Sequence, residues 1–555
     1  MEERRLLVAV ALSLVVLTAY SLLFAPGPPA SAPPSPSPSA VAAPAPPGKP
    51  ATAAGPAELP DAKTPAPAVA DERERRVEVQ ADEYAVAFTN RGARVVSWTL
   101  MRYRDARGQA EEMVPAQGAG IRPLDVETGD PALDARLREA LFKPSADVVT
   151  VSGAEPQTLR FAFADGEVEA EKTLVFRASG LVAVDAKVKR HGREVPRRLL
   201  WGPGVGNASL EERGVQGYYD PRGVTYAGGA VEHLEAKKLP PAGKALPGVG
   251  WVGVESQYFA VIFVAPAGGA VAEVRPQAVP AKPEEKPSVA PVAVIDASSG
   301  DPVGLFVGAK DHQALAKLGH HLERVVPVGD WIGPIVVALM GLLRWVQSHV
   351  GNWGWSIVVL TVLINLAMAP FRHYSIVNGL KMAKLSPEMK AIQERYRKVP
   401  LMDPKRQKMQ EEVAALYAKH GMSMGSQMMV GCLPLLLTMP FLFAFYRVLT
   451  VSIELRGAPF LWIGDLAQKD PLFLTPVLMG VSMFAMQRMT PSTLDPAQQR
   501  IMMLMPLMLA GMFLWAPAGL NLYWLTSNLW SILQQGVSMR LLRPAGAPAR
   551  DKRAK

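Results

Sequence analysis

Two hydrophobic patterns divide this chain. In the first half, apolar residues alternate with polar ones in short runs, such as Tyr84-Ala85-Val86-Ala87-Phe88, Leu159-Arg160-Phe161-Ala162-Phe163 and Leu181-Val182-Ala183-Val184. Period-two runs separated by turn residues predict an antiparallel β-sandwich, here over residues 76–325. One helical segment is expected in it, around His312 to Leu322. In the second half the apolar residues form long uninterrupted runs at 353–371, 428–446, 472–487, 501–515 and 520–537, and another run, Leu6 to Ala25, opens the chain. A helix needs about 20 apolar residues to cross a hydrocarbon core of about 30 Å, so these six runs are predicted to span a membrane. Several hold only about 15–17 apolar residues, which predicts local thinning of the bilayer. The segment 331–350 differs. Its apolar face, Ile335, Leu339, Leu342, Leu343 and Val346, is interrupted by Arg344, Gln347 and His349, which predicts a helix lying along the membrane surface.

The connecting segments set the topology. Residues 26–75 are rich in Pro, Ala and Ser and cannot bury a core, so they are expected to form an extended linker. Residues 375–425 are predicted to form a helical hairpin. Ser386-Pro387-Glu388 and Asp403-Pro404 each read as a helix start, and Gly421 reads as a stop. Met389, Ile392, Tyr396 and Val399 on the first helix face Met409, Val413 and Leu416 on the second. Lys390, Arg395, Arg397, Lys405 and Arg406 belong to the charged outer surface.

The formal net charge of the 555 residues is +9, and the excess is local. Between Ser375 and Met424 there are ten Lys or Arg against five Asp or Glu, and from Val537 onward six against one. Basic segments beside apolar spans orient them toward the cytoplasm. The N-terminal residues 1–5, the hairpin and the tail 538–555 then share the cytoplasmic side, and the β-region lies outside. In the tail, Arg540, Arg543, Lys552 and Arg553 could also contact lipid or ribosomal RNA phosphates.

Polar side chains in a bilayer are costly, so those that interrupt the apolar runs are the candidate functional residues. Thr361, Asn365, Met368 and Arg372 recur at helical spacing in the second span. Asn521, Trp524, Asn528, Ser531 and Gln535 trace a stripe in the sixth, and Gln487 ends the fourth. Facing one another, these stripes would line a wet groove open to the cytoplasm. Taken singly, each is equally well a packing hydrogen bond worth ~0.6–2 kcal/mol. The methionines Met502, Met503, Met505 and Met508 read as core packing. Cys432 is the single cysteine, and the histidines have no ligand spacing. No catalytic residue, metal site or cofactor is expected, and no small-molecule substrate.

Several local motifs carry a resemblance. Gly351-Asn352-Trp353-Gly354 opens the second span, and Gly431-Cys432-Leu433-Pro434 with Met439-Pro440-Phe441 marks the third. Glu454-Leu455-Arg456-Gly457-Ala458-Pro459-Phe460 follows it. Asp495-Pro496 with Gln498-Gln499 precedes the fifth span, and Leu522-Tyr523-Trp524 with Ser527-Asn528 lies in the sixth. In these residues the chain resembles the YidC insertase family in its Gram-negative form. More weakly, Gly250-Trp251 and Gln257-Tyr258-Phe259 resemble the family's periplasmic domain. The resemblance implies a polytopic α-helical membrane protein with six transmembrane helices, five of them forming the core, a periplasmic antiparallel β-sandwich and a cytoplasmic helical hairpin. It implies an inner-membrane insertase and chaperone without covalent chemistry, whose partners are nascent membrane proteins, the Sec translocon, the ribosome and membrane lipids. Tyr523 joins the expected groove residues. The chain departs from the family at Asn365, where most relatives carry an arginine. Arg372, about 10 Å further along the helix, is the candidate for a displaced positive charge.

Two other classes stay open. Polar stripes also mark solute transporters, although no internal repeat of spans and no charged midplane site accompanies them. The family's β-sandwich resembles carbohydrate-active folds, which would suit an envelope carbohydrate-binding protein, although the β-region offers no acid/base pair.

Overall fold

The computed structural model describes residues 68–105, 107–115, 120–178, 180–206, 213, 215, 218–279, 288–329, 331–396, 403, 405–420, 439–489 and 496–541. The first apolar run, most of the linker, Gly421, Cys432, Arg397, Arg543, Lys552 and Arg553 lie outside the described residues.

Three sheets build the β-domain. A sheet of ten strands runs from Ala230–Leu234 at one edge to Lys143–Pro144 at the other, and two five-stranded sheets complete it. Alternation does what the sequence pattern predicts: Val168–Phe176 buries every second side chain along its whole length. Among the described residues pairing is antiparallel with one exception, Glu78–Ala81, which runs parallel to Val148–Val151. A strand buried on one face alternates, but Phe259–Val264 is buried at all six positions. Val261 and Phe263 face the main core, while Ala260, Ile262 and Val264 pack under Leu315, Leu322, Val325 and Val326. That second cover includes the predicted helix, which runs His312–Leu318. The domain starts earlier than expected. Val69 pairs with Ala164, and Arg75 bonds both Asp71 and Asp147, so residues 68–75 belong to the sheet system and not to the linker.

The described helices are α1 (Pro131–Glu139), α2 (His312–Leu318), α3 (Gly333–Val350), α4 (Trp353–Arg395), α5 (Lys405–Lys419), α6 (Met439–Val451), α7 (Leu474–Met489), α8 (Pro496–Met512) and α9 (Ala518–Leu541). The face that α3 buries is Val336, Leu339, Met340, Leu343 and Val346. Leu342, expected on that face, is exposed, because α4 and α6 approach from the side of Val336 and Met340. Among the described residues, Trp353–Met382 within α4 is the one stretch long and apolar enough to cross a membrane by length and composition. The described residues of α7 and α8, 16 and 17 in number, extend about 24–26 Å.

Ser386-Pro387-Glu388 does not start a helix, because α4 continues through it for 43 residues, about 64 Å in all. An internal proline costs roughly 3 kcal/mol. The opposing contribution is a continuous apolar face, in which Leu385, Met389 and Ile392 pack on Leu416 and Tyr417 of α5. Asp403 does start α5, its carboxylate accepting from Lys405 N at 2.9 Å. Met502, Met505 and Met508, expected to pack in the core, are instead exposed.

The motifs between helices have physical explanations. Gly351 caps α3 in the left-handed conformation, at φ 76°. Asn352 caps α4 by accepting from Trp355 N at 3.1 Å and donates to Pro459 O at 3.1 Å. A Cβ on Gly354 would lie 2.1 Å from Phe460 Cδ2, so only glycine lets Phe460 seat on the first turn of α4. Asp470 fixes the approach to α7 by accepting from Thr475 N at 2.7 Å and Trp462 Nε1 at 3.1 Å.

Candidate functional site

The long helix α4 and the last helix α9 pack along one another, and their interface is unusually polar. Ser527, Ser531, Gln534 and Ser538 fall at helical spacing on the face of α9 turned toward α4. Ser527 Oγ donates to Asn365 Oδ1 at 3.4 Å, and Arg372 Nη1 donates to Ser531 Oγ. Gln534 Nε2 donates to Ala369 O at 2.7 Å, and His373 Nδ1 pairs with Ser538 Oγ at 3.0 Å.

Beside this seam α4, α6, α7 and α9 leave a cavity of about 250 Å³. Its polar wall is Asn365, Arg372, Tyr523, Ser527 and Asn528. The rest is soft and apolar, including Met368, Met439, Met483 and Phe441. Thioethers adapt to irregular contents, which suits a wall that must meet varied side chains. Aromatic stacking holds the α9 side rigid: Tyr523 lies on Phe445 with ring centroids 4.3 Å apart, and Trp524 on Phe513 at 4.7 Å. Trp524 also lines the cavity, and its buried Nε1 has no hydrogen-bond partner among the described residues. Asn528 donates to Ser482 Oγ on α7 at 3.1 Å.

Of the eight residues the sequence suggested for a groove, Asn365, Arg372, Tyr523, Trp524 and Asn528 meet at this cavity. The other three lie elsewhere. Thr361 is fully buried and donates back to Ile357 O at 2.6 Å within its own helix. Asn521 is fully buried and donates to Phe513 O at 3.2 Å, closing the turn between α8 and α9. Gln487 donates to Met502 O at 2.7 Å, tying α7 to α8. Asn365 is nearly buried, and its Nδ2 bonds Thr361 O at 2.8 Å, so its amide is partly spent on its own backbone. Met439 and Phe441 carry a family motif but no groove signal of their own, and Met483 and Gln534 carry neither. Apolar lining carries no signal before the neighbours are known, and Gln534 was eclipsed by Gln535, which helical spacing alone could not separate.

The other suggested residues sit apart from the cavity. Lys390, Arg395 and Lys405 are exposed on α4 and α5, with Arg395 paired to Glu412 at 3.0 Å, and Arg406 falls on α5. Tyr396 Oη donates to Glu412 Oε1 at 2.6 Å, so one glutamate joins the two helices. Arg540 is exposed at the end of α9. Among the described residues no cluster of His, Cys, Asp or Glu could hold a metal.

Comparison with known proteins covers both halves of the chain. Residues 76–341 match the family model described as the YidC periplasmic domain, and residues 345–544 match that of the 60Kd inner membrane protein. The membrane protein insertase YidC of Geobacter metallireducens is 31% identical over 98% of this chain and 100% of its own length. That of Oleidesulfovibrio alaskensis is 32% identical, covering 97% of this chain and all of the relative. A crystal structure described as active YidC insertase with the first transmembrane domain resolved aligns with 84% of this chain and 93% of its own, at 15% identity and a TM-score of 0.34.

Proposed function

This chain belongs to the YidC family of membrane protein insertases, and from that premise we propose that the cavity between α4, α6, α7 and α9 is its client groove. Insertion of inner-membrane proteins is the function, and nascent membrane proteins are its clients. The route is a partial one. A polar client segment enters from the cytoplasmic end of the bundle, finds hydrogen-bonding groups in place of some of its water, and crosses only what remains of a thinned bilayer. Leaving a polar backbone group unsatisfied in hydrocarbon costs several kcal/mol, so each partner supplied partway lowers the barrier. The short apolar runs at 472–487 and 501–515 support the thinning.

One observation carries this reading: Asn365, Arg372, Tyr523, Trp524 and Asn528, from two helices far apart in sequence, line a single cavity. Arg372 supplies the positive field that Asn365 lacks. The paired ends of α4 and α5, with their basic surface, lie on the cytoplasmic side and guide clients to the groove, both termini share that side, and the basic tail approaches the ribosome or lipid. The β-domain is periplasmic, and the same groove serves clients alone or handed over by the Sec translocon.

A photocrosslinking amino acid placed at Asn365 or Trp524 is expected to capture stalled nascent membrane proteins. At Thr361, which is turned into the protein, it is expected to capture none. Capture only at outward-facing positions such as Leu363 or Leu507 would overturn the groove.

A further inference from the structure

A second cavity, of about 770 Å³, lies where the β-domain meets the end of the bundle. That volume is within the usual range of about 300–1,000 Å³ for ligand sites. Its wall holds Arg222, His233, Arg324 and Arg447 and, among the described residues, no carboxylate. Behind the wall is one buried acid, Glu255. Arg222 Nε donates to its Oε1 at 2.6 Å, Lys310 Nζ donates to its Oε2 at 3.0 Å, and His233 Nδ1 lies 2.8 Å from Oε1. Two permanent cations share one carboxylate, so the floor itself keeps a net positive charge.

Arg324 and Arg447 add to that charge from the rim. Arg324 Nη1 donates to Gly229 O at 2.6 Å, and its guanidinium stands 5.7 Å from the ring centroid of Tyr226. Arg447 is exposed on α6 and has no ion-pair partner among the described residues. The opposite flank is apolar, formed by Val326, Val328 and Val451. One turn down α6 from Arg447, Phe443 is exposed on the same helix face. The cavity therefore has an anion-binding floor and rim above an apolar surface that continues down the bundle.

Its depth is fixed by its neighbours. Exposed Trp345 near the end of α3 and exposed Trp355 at the start of α4 mark this end of the bundle as the membrane–water boundary, where tryptophan concentrates. A guanidinium matches phosphate oxygens bidentately, whereas a water-soluble acidic ligand would have no use for the Phe443 surface. We propose that this cavity binds the phosphodiester headgroup of an anionic phospholipid from the leaflet facing the β-domain, with Arg324 and Arg447 on the phosphate and an acyl chain along Phe443. The site is separate from the client groove, on the other end of the bundle from Arg372, and does not depend on it.

The test uses the full chain in proteoliposomes doped with a photoactivatable phosphatidylglycerol whose reactive group lies near the headgroup. Adducts are expected on the peptides containing residues 324–329 and 446–451, and R324Q/R447Q is expected to reduce them at least about fivefold, the loss of two charge-assisted contacts. The single variant R447Q, at an exposed residue, repeats the test if the double variant unfolds, and is expected to show the same direction. Equal labelling of wild type and both variants would overturn the proposal. So would equal labelling by a phosphatidylcholine analogue, or displacement of the lipid by millimolar inorganic phosphate or by an acidic peptide, which would assign the site to a soluble anion or to a client.

Discussion

Arg344 on α3 and Glu454 in the turn after α6 form a bridge in which Arg344 Nε donates to Glu454 Oε1 at 2.6 Å. The same guanidinium donates through Nη2 to Asp311 Oδ1 at 2.9 Å, and Asp311 caps α2 of the β-domain. One half-buried arginine thus joins α3, the rest of the bundle and the β-domain. Two further ties reinforce it: Arg456 to Glu111 at 2.9 Å, and Gln257 Nε2 to Thr450 O at 3.1 Å.

Arg344→Ala is expected to loosen the β-domain on the bundle without unfolding either, because each keeps its own core. Spin labels at the exposed positions Val271 and Leu507 should report a broader distance distribution in the variant. An unchanged distribution would mean that Arg456 and Gln257 suffice.

Arg372→Ala is expected to impair clients with acidic translocated segments more than neutral ones. A unit charge acting across a few ångströms of hydrated space contributes about 1 kcal/mol, so the difference should be roughly fivefold in insertion efficiency. Equal losses for both client types would show that Arg372 acts only by holding Ser531 and the α4–α9 seam.

Gly354→Ala should destabilise the bundle by about 1–3 kcal/mol, the cost of forcing a methyl against a packed ring. The clash is with Phe460, so Phe460→Ala should cost less in the Gly354→Ala background than in wild type. Additive losses, read from thermal unfolding in detergent, would place the strain elsewhere.

The buried acid of the β-domain makes a pH prediction. Burial pushes Glu255 up, but Lys310, His233 and Arg222 outweigh it and hold the carboxyl at about 2, against an ordinary 4.5. Its folded pKa is depressed, so its contribution to stability is complete above about pH 4.5 and is lost as pH falls toward 2. Glu255→Gln should lower stability near neutral pH by about 3–5 kcal/mol, because Lys310 then lacks its counter-charge. The gap to wild type should close between pH 4.5 and 2. A gap that stays constant over that window would refute the depressed pKa.

Alternation made the strands legible, since a sheet with one wet face repeats every two residues whatever covers the other. Where both faces are covered the rule fails, and Phe259–Val264 could be recognised as a strand but not as a doubly buried one. Capping residues located α5 through Asp403, yet the same kind of signal at Pro387 was overridden by packing against Leu416 and Tyr417. Local propensity at a helix end is worth about as much as one or two buried side chains, so tertiary contacts can reverse it.

The sequence by itself determined the two-part architecture, the family, the polar residues of α4 and α9, and the glycine and asparagine at the start of α4, because each is written in a local period, motif or cap. Only the tertiary structure decided which of those polar residues share a cavity. Thr361 and Asn365 are one turn apart, yet one is sealed against its own backbone and the other lines the cavity. A helix presents every direction in turn, and which direction becomes a wall, a seam or a surface is set by where its neighbours stop.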